Sequence, residues 1–289
     1  MKYLGVVLVL LAAMFWGFSG GISNLLMNKG WHPLVVSFYR GFIGLIFFLI
    51  WYLSHFKQNT IKSVRFYFWA ILAGIGVAGN FTFYLLSIQT TSISVAATLM
   101  YTAPLFVFII LLILRLEHST WFKWRCIFGV ILGIILLTGA YNIDTLSASY
   151  FGILTGLTSA LAYALFIFSF KNASTIGNTK ATLTIAFLSF CIIMILLMDK
   201  PEAITVLTSS DIGWFLLLGV IGAGVSFTIY LIGLQSTPAT TASIIAMVEP
   251  VTASLFGVLI FENYLSIVQL IGMVIILVTV TLLSVKQAK

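Results

Sequence analysis

GIGVAGNFTFYLLSIQTTSISVAATLMYTAP, residues 74–104, returns in altered form as VIGAGVSFTIYLIGLQSTPATTASIIAMVEP, residues 220–250. At a constant offset of 146 positions the two stretches share ten identities over 31 places, including a glutamine, a tyrosine and a proline. An apolar composition alone does not align those three residue types. The chain is therefore predicted to contain two copies of one unit. The identical residues of the first stretch are Ile75, Gly76, Phe81, Thr82, Tyr84, Leu85, Gln89, Thr91, Ala96 and Pro104.

The amino-acid composition indicates whether the two copies are surrounded by water or by lipid. Hydrophobic residues make up 61% of the 289 residues and charged residues only 7%, whereas an ordinary soluble domain carries about 25% charged residues. The apolar residues form blocks of roughly twenty, the length that crosses a ~30 Å hydrocarbon core as a helix. Short segments of alternating polarity, which are typical of a membrane β-barrel, do not occur. The sequence predicts an all-α integral membrane protein with ten spans, at about residues 4–25, 34–53, 67–86, 93–114, 124–141, 150–170, 181–198, 212–233, 239–261 and 266–285.

The two copies are predicted to be inverted relative to each other. The repeat also relates Gly5 to Gly152, at an offset of 147, so the predicted domains are residues 1–141 and 150–285. Each copy holds five spans, and an odd number makes the second copy enter the membrane from the opposite side. Inverted repeats supply two near-equivalent packings, whose exchange between the halves opens a central site to one side and then the other.

Lysine and arginine predict the orientation. Of the basic residues outside the spans, eleven lie on the side that holds both termini, whereas Lys29 and Lys200 lie on the other side. The positive-inside rule then places the first side in the cytoplasm, with both termini. The formal net charge of +7 is largely explained by this bias. A nucleic-acid-binding protein would need a basic, solvent-facing domain, and none is predicted.

Other site types find little support in the sequence. Cys126 and Cys191 fall in apolar blocks, where a small polarizable side chain packs well, so neither a disulfide nor a metal site is predicted. His32, His55 and His118 lie near block ends without metal-ligand spacing, which favours interfacial roles. No P-loop is present, so ATP hydrolysis by this chain is not expected. No cofactor is predicted.

Two charges lie well inside the spans, Arg40 and Glu249, and neither has a charged repeat counterpart. A charge at the helix centre costs on the order of 3 kcal/mol on insertion scales, so a compensating interaction is expected. Arg40 could extend toward the headgroups, and Glu249 could be a protonated carboxyl that bonds a neighbouring helix. The alternative is that both line a central cavity as substrate or proton contacts.

Pro104 and Pro250 are predicted to kink spans four and nine near mid-membrane, because proline removes the hydrogen bond to the carbonyl four residues earlier. Their equivalence in the two copies favours a hinge role over plain packing. The connections QTTSIS, residues 89–94, and QSTPAT, residues 235–240, are short and uncharged and lie on opposite faces. They are the predicted gates.

Several polar side chains inside the spans are candidate cavity contacts, although packing or interhelical hydrogen bonding is an alternative for each. Gly129 and Gly133 form the close-packing motif GVILG in span five, which could serve a homodimer or internal packing. The candidate contacts are Trp16, Asn80, Tyr84, Tyr101, Tyr163 and Tyr230.

The motifs and their order resemble the ten-helix EamA-type branch of the drug/metabolite transporter superfamily. The resemblance rests on MFWGFSG in span one, HPLVVSFYR in span two, the helix-breaking YTAP and VEP, and the glutamates of RLEH and FENY, Glu117 and Glu262. In the usual family pattern a glycine precedes those glutamates, and here it does not. The resemblance implies a basket in which spans one to four and six to nine surround a cavity while spans five and ten are peripheral. It implies no particular substrate.

The predicted function is secondary transport of a small metabolite by alternating access in the cytoplasmic membrane, with export as the predicted direction. Arginine and glutamate in one cavity would suit an amino acid or another zwitterion, and protons are a candidate coupling ion. A membrane-embedded enzyme is an alternative, but it would need a nucleophile with a base, a metal cluster or paired carboxylates. An accessory protein without transport activity is a second alternative.

Overall fold

The computed structural model describes residues 2–54, 63–91, 93–141, 150–261 and 264–288. His55 and Glu262 lie outside these described residues. Within the described chain fourteen α-helices follow one another, with a short 3-10 turn at Val206–Thr208 and a π-helical segment at Val220–Val225. The helices are α1 Lys2–Asn28, α2 Pro33–Leu53, α3 Val64–Thr90, α4 Ile93–Met100, α5 Ala103–Ile113, α6 Trp121–Thr138, α7 Tyr150–Ile176, α8 Thr179–Leu197, α9 Lys200–Thr205, α10 Ile212–Gly219, α11 Ser226–Ser236, α12 Ala239–Ala246, α13 Glu249–Phe261 and α14 Ile267–Ala288.

The described helices form ten spans that are long and apolar enough to cross a membrane. Span 4 comprises α4 and α5, span 8 comprises α10, the π-helical segment and α11, and span 9 comprises α12 and α13. The other seven spans are the single helices α1, α2, α3, α6, α7, α8 and α14. The structure is 88% helical and the described residues contain no strand. The predicted all-α fold of ten spans is confirmed, and the chain is a multi-pass membrane protein.

Capping residues explain where several spans begin and end. The His32 side chain accepts a hydrogen bond from the Leu34 amide, and Pro33 occupies the first turn of α2, where its missing N–H costs nothing. Thr120 and Asn178 cap α6 and α8 in the same way. Gly139 ends α6 in the left-handed conformation at φ +74°, which glycine adopts without strain.

The two halves interlock through equivalent helix pairs. Span 3 packs along span 6, and span 8, the repeat counterpart of span 3, packs along span 1. Glycines permit both close approaches. A Cβ atom on Gly76 would lie 2.8 Å from the Phe166 amide nitrogen, and a Cβ atom on Gly233 would lie 2.7 Å from the Gly5 carbonyl oxygen. Small residues at such crossings are typical of membrane helix packing.

Spans 5 and 10 pack against each other at the side of the bundle. The glycines of the GVILG motif face span 10 rather than an open surface. A Cβ atom on Gly133 would lie 2.9 Å from the Gly272 carbonyl oxygen, and one on Gly129 would lie 2.9 Å from the Thr279 hydroxyl oxygen. The motif therefore serves internal packing in this chain, and it offers no separate basis for a homodimer.

Spans 4 and 9 are interrupted rather than kinked. Residues 101–102 and 247–248 form turns between the two helices of each span, and i to i+3 bonds such as Leu105 N to Thr102 O close the break. Pro104 and Pro250 occupy the first turn of the second helix, so neither stands in a helix interior. Proline has no backbone N–H to donate to the carbonyl four residues earlier, at Met100 and Ala246, so the helical hydrogen bonding is interrupted just before each proline.

On the predicted outer side, the segment after span 7 is bound to the connection between spans 1 and 2. Lys29 forms an ion pair with Asp211, and Trp31 Nε1 donates to the second oxygen of the same carboxylate over 2.9 Å. The His32 amide donates to Glu202 Oε1 over 2.6 Å. These bonds join the two halves at one end of the bundle.

Candidate functional site

A cavity of about 360 Å³ lies at the centre of the bundle. Spans 1, 2, 3, 4, 6, 8 and 9 contribute to its wall, and among the described residues spans 5 and 10 do not, as the basket arrangement implies. Span 7 was also expected at the cavity, but none of its described residues lines the wall. The wall extends from Trp16, Tyr163 and Phe227 in the middle of the bundle to Met27 and Ile93 near the ends of their spans. The cavity therefore reaches the predicted outer side, at the connections after spans 1 and 3.

Helix α4 and its repeat counterpart α12 show that the opposite end is closed. All eight residues of α12 are buried, whereas Ile93, the first residue of α4, is 65% exposed. The counterpart of Ile93 is Ala239, which is only 4% exposed. The same repeated segment therefore lies at the open end of the cavity in the first half, as α4, and at the closed end of the bundle in the second half, as α12.

Glu249 lies in the cavity wall at the start of α13, directly after the break in span 9. The free N–H groups and dipole of a helix N-terminus favour a negative charge there. Gly17 of span 1 packs against this turn, since a Cβ atom on Gly17 would lie 2.3 Å from the Glu249 carbonyl oxygen. The break in span 9 thus positions the carboxylate at mid-membrane beside span 1.

Arg40 lies in the same wall and is held inside the bundle. Its Nε donates to the Gly222 carbonyl oxygen over 3.0 Å, and its guanidinium carbon lies 5.2 Å from the centre of the Phe81 ring. Gly222 belongs to the π-helical segment of span 8, where the altered bonding pattern frees carbonyl groups. The Arg40 side chain is therefore directed to span 8 and not extended to the headgroups.

The two charges share the cavity without forming a direct ion pair. Among the described residues, the pairs within 4.0 Å are Lys29 with Asp211 and Lys123 with Glu117. Arg40 and Glu249 both line the cavity and lie near enough to interact electrostatically, and the Glu249 carboxyl also has a hydrogen bond with Tyr101. A bound molecule could contact both.

Three buried donors at or next to the cavity wall lack a hydrogen-bond partner in the described structure. These are the Trp16 Nε1 group and the hydroxyl groups of Tyr163 and Tyr230. The ring of Trp16 packs 4.8 Å from that of Tyr230. Trp16 and Tyr163 line the cavity, whereas Tyr230 lies behind Trp16 and is fully buried. An unsatisfied buried donor is costly, so a ligand acceptor or water is the expected partner of those at the wall.

The remaining candidate residues divide into two kinds. Tyr84 and Tyr101 line the cavity and interact electrostatically with Glu249. Asn80 also borders the cavity, but its amide nitrogen donates to the backbone oxygen and the hydroxyl oxygen of Ser159, each over 3.1 Å. The Asn80 side chain therefore links span 3 to span 6. Pro104 and Pro250 do not belong to the cavity wall.

Sequence reasoning missed the apolar part of the wall and the π-helical segment. Phe81, Phe166, Phe227 and Phe256 line the cavity, and their aromatic faces can bind cations as well as apolar groups. Phe81 and Phe227 are repeat counterparts, a signal that was present in the alignment of the two copies. The described residues contain no group of three or more histidine, cysteine or acidic side chains placed to hold a metal ion.

Comparisons with known proteins agree over the whole chain. The profile of the EamA-like transporter family matches residues 3–139 and 150–285. An uncharacterized transporter of Archaeoglobus fulgidus is 28% identical over 296 residues, covering 96% of this chain and 94% of that protein. The uncharacterized inner membrane transporter YicL of Salmonella typhimurium is 25% identical over 290 residues, covering 97% and 95%. A protein of known crystal structure shares the fold, with a TM-score of 0.70 at 16% identity over 95% of this chain and 98% of the other.

Proposed function

The chain belongs to the EamA-like transporter family of the drug/metabolite transporter superfamily, and from this premise we propose that it is a secondary transporter of a small zwitterion. The proposed mechanism is alternating access, in which the two inverted halves exchange packings around the central cavity. The proposed location is the cytoplasmic membrane with both termini inside, and the proposed direction is export.

One observation carries the substrate proposal: Arg40 and Glu249 face one cavity and do not neutralise each other in a direct ion pair. Ionisable groups within a membrane are costly and are retained where they pair or bind a transported species. An amino acid carries an ammonium group for the carboxylate and a carboxylate for the guanidinium. The volume of about 360 Å³ lies at the lower end of the ~300–1,000 Å³ that small-molecule sites occupy.

The aromatic wall supports the same substrate class. Aromatic faces such as that of Phe81 attract an ammonium group, and the unpartnered donors of Trp16 and Tyr163 suit an acceptor oxygen. The Glu249 carboxyl is the proposed coupling site, because it lines the cavity and an ammonium ligand bound beside a carboxyl favours loss of the carboxyl proton. Binding of substrate would then release a proton.

The first experiment identifies ligands by thermal shift of the purified protein across a panel of amino acids, simple amines and simple carboxylates. Zwitterions are expected to stabilise the wild-type protein more than compounds that carry only one of the two charges. Glu249→Gln should lose the preference for the ammonium group. An equal response to singly charged amines and to zwitterions would contradict the role of Arg40.

The second experiment measures transport of the strongest panel ligand in proteoliposomes. Glu249→Gln keeps the shape of the side chain but cannot ionise, so pH-dependent transport should be abolished while the thermal stability stays near that of wild type. Glu202→Gln is the matched control, since Glu202 lies on the outer segment and bonds the His32 amide. Wild-type rates and an unchanged pH profile in Glu249→Gln would show that the carboxyl only supports the break before Pro250.

A further inference from the structure

Lys171 binds backbone carbonyls at the end of the bundle opposite the cavity mouth. It lies near the end of span 6, and its Nζ donates to the carbonyl oxygens of Leu234, Gln235 and Thr237 over 2.5, 3.0 and 3.0 Å. These carbonyls stand at the C-terminal end of α11, where backbone acceptors lack intrahelical partners and the dipole favours a cation. We call the Lys171 ammonium and these three carbonyls the inner clamp.

The inner clamp joins helices that belong to different packed groups. Span 6 packs mainly against spans 3 and 4, whereas span 8 packs against span 1. A bond from span 6 to the end of span 8 therefore holds the two groups together at that end. Lysine bonds to carbonyl oxygens are charge-assisted and stronger than bonds between neutral groups.

Some contacts at the span ends occur in both halves. A Cβ atom on Gly5 would lie 2.2 Å from the Ser236 hydroxyl oxygen, at the end of span 8. The counterpart contact is that of a Cβ atom on Gly152, which would lie 2.6 Å from the hydroxyl oxygen of Thr90, the counterpart of Ser236, at the end of span 3. Contacts present in both halves at once belong to pairs that stay packed together whichever end of the bundle is open.

The inner clamp occurs in one half only. At the offset of 147 the counterpart of Lys171 is Asn24, and at the offset of 146 the counterpart of Leu234 is Ile88. Asn24 and Ile88 both line the open cavity, and Asn24 is exposed. The same pair of positions is therefore joined by a hydrogen bond at the closed end of the bundle, whereas at the open end both counterparts line the cavity.

We propose that the inner clamp is the gate bond that holds the inner end closed, and that it must release before the cavity can open inward. The inference rests on the alternating access proposed above. Asn24 is shorter than Lys171 and uncharged, so the equivalent closure at the outer end is weaker. The imbalance makes the outward-open arrangement the resting state of the protein.

The test measures opening directly, without a substrate. In a protein whose two cysteines are replaced, a single cysteine at Ala239 reports the inner end and one at Ile93 reports the outer end. Permeabilised membranes let a maleimide reach both faces, so the result does not depend on orientation. Lys171→Met keeps most of the apolar stem and removes the ammonium. Loss of its charge-assisted bonds should raise the labelling rate at position 239 by about 10-fold and lower the rate at position 93.

The matched control is Lys180→Met, which removes a lysine whose Nζ lies 5.3 Å from the centre of the Trp51 ring and takes no part in the inner clamp. It should leave both labelling rates unchanged. Lys171→Arg keeps donors for the carbonyls and should restore slow labelling at Ala239. Unchanged labelling at Ala239 in a folded Lys171→Met protein would overturn the proposal.

A reciprocal variant keeps the inference testable if Lys171→Met does not fold. Asn24→Lys supplies the outer end with the residue that the repeat places at the inner end. It should lower labelling at Ile93 and raise labelling at Ala239, because it favours closure of the outer end. Unaltered labelling at both positions would overturn the proposal. Altered labelling without any transport of the panel ligands would support the inner clamp and contradict the proposed function.

Discussion

Replacing Gly17 by alanine is expected to separate span 1 from span 9 at the candidate site. An added Cβ atom would lie 1.8 Å from the Thr252 hydroxyl oxygen and 2.3 Å from the Glu249 carbonyl oxygen. The Thr252 hydroxyl can rotate only by giving up its 2.9 Å bond to that same carbonyl. The carbonyl belongs to the backbone, so the helices themselves must move to restore ordinary contact.

The size of that movement sets the expected cost. Ordinary contact begins near 3.4 Å, so the distance of 2.3 Å leaves a deficit of 1.1 Å at the Glu249 carbonyl. Overpacking of this kind costs about 1–3 kcal/mol. At about 2–4 °C per kcal/mol, the unfolding midpoint should fall by roughly 2–12 °C.

The assay is thermal unfolding of the detergent-solubilised protein, and Gly20→Ala is the matched control in the same helix. Among the described residues, no atom outside the adjoining residues and nearby backbone of span 1 lies within 4 Å of a Cβ atom on Gly20, and alanine is favoured over glycine in a helix by about 1 kcal/mol. Gly20→Ala should therefore keep or slightly raise the midpoint. A wild-type midpoint in Gly17→Ala, or an equal loss in both variants, would refute the packing reasoning.

Further predictions concern Pro104 and Pro250, the ion pair of Lys29 with Asp211, and the topology. Pro104→Ala and Pro250→Ala should purify with near-normal thermal midpoints, because both prolines occupy first turns, yet transport slowly; full-rate transport in both would exclude the hinge role. Hydrogen bonds from Lys29 and Trp31 lower the pKa of Asp211. The Asp211 carboxylate therefore stabilises the folded protein fully at pH values above the ordinary carboxyl pKa, and this stabilisation is lost as the pH falls through the lowered pKa. Asp211→Asn should therefore weaken the acid-side loss of stability, and an unchanged pH profile would contradict this. A single cysteine at Ser209 should label from outside intact cells and one at Gln58 should not; Gln58 lies outside the described residues, and the reverse pattern would overturn the proposed orientation.

The sequence was sufficient for the architecture because the membrane imposes it. A helix must be about twenty residues long to cross the hydrocarbon core, so composition alone marked the ten spans. The repeat that joins residues 74–104 to 220–250 then established two equivalent units, and the odd number of spans in each made them inverted. The same reasoning singled out Arg40 and Glu249, because an intramembrane charge is costly wherever it occurs.

The tertiary structure decided which of these residues meet and which end of the bundle is open. Tyr230 and Tyr84 are repeat counterparts, yet only Tyr84 lines the cavity, because equivalent sequences adopt different packings in the two halves. In the sequence, Lys171 contributed only to the prediction of orientation. In the fold, its ammonium group binds backbone carbonyls of residues 63 to 66 positions further along the chain. Contacts of this kind depend on how separate helices pack, and hydrophobic periodicity, which describes one helix at a time, carries no information about them.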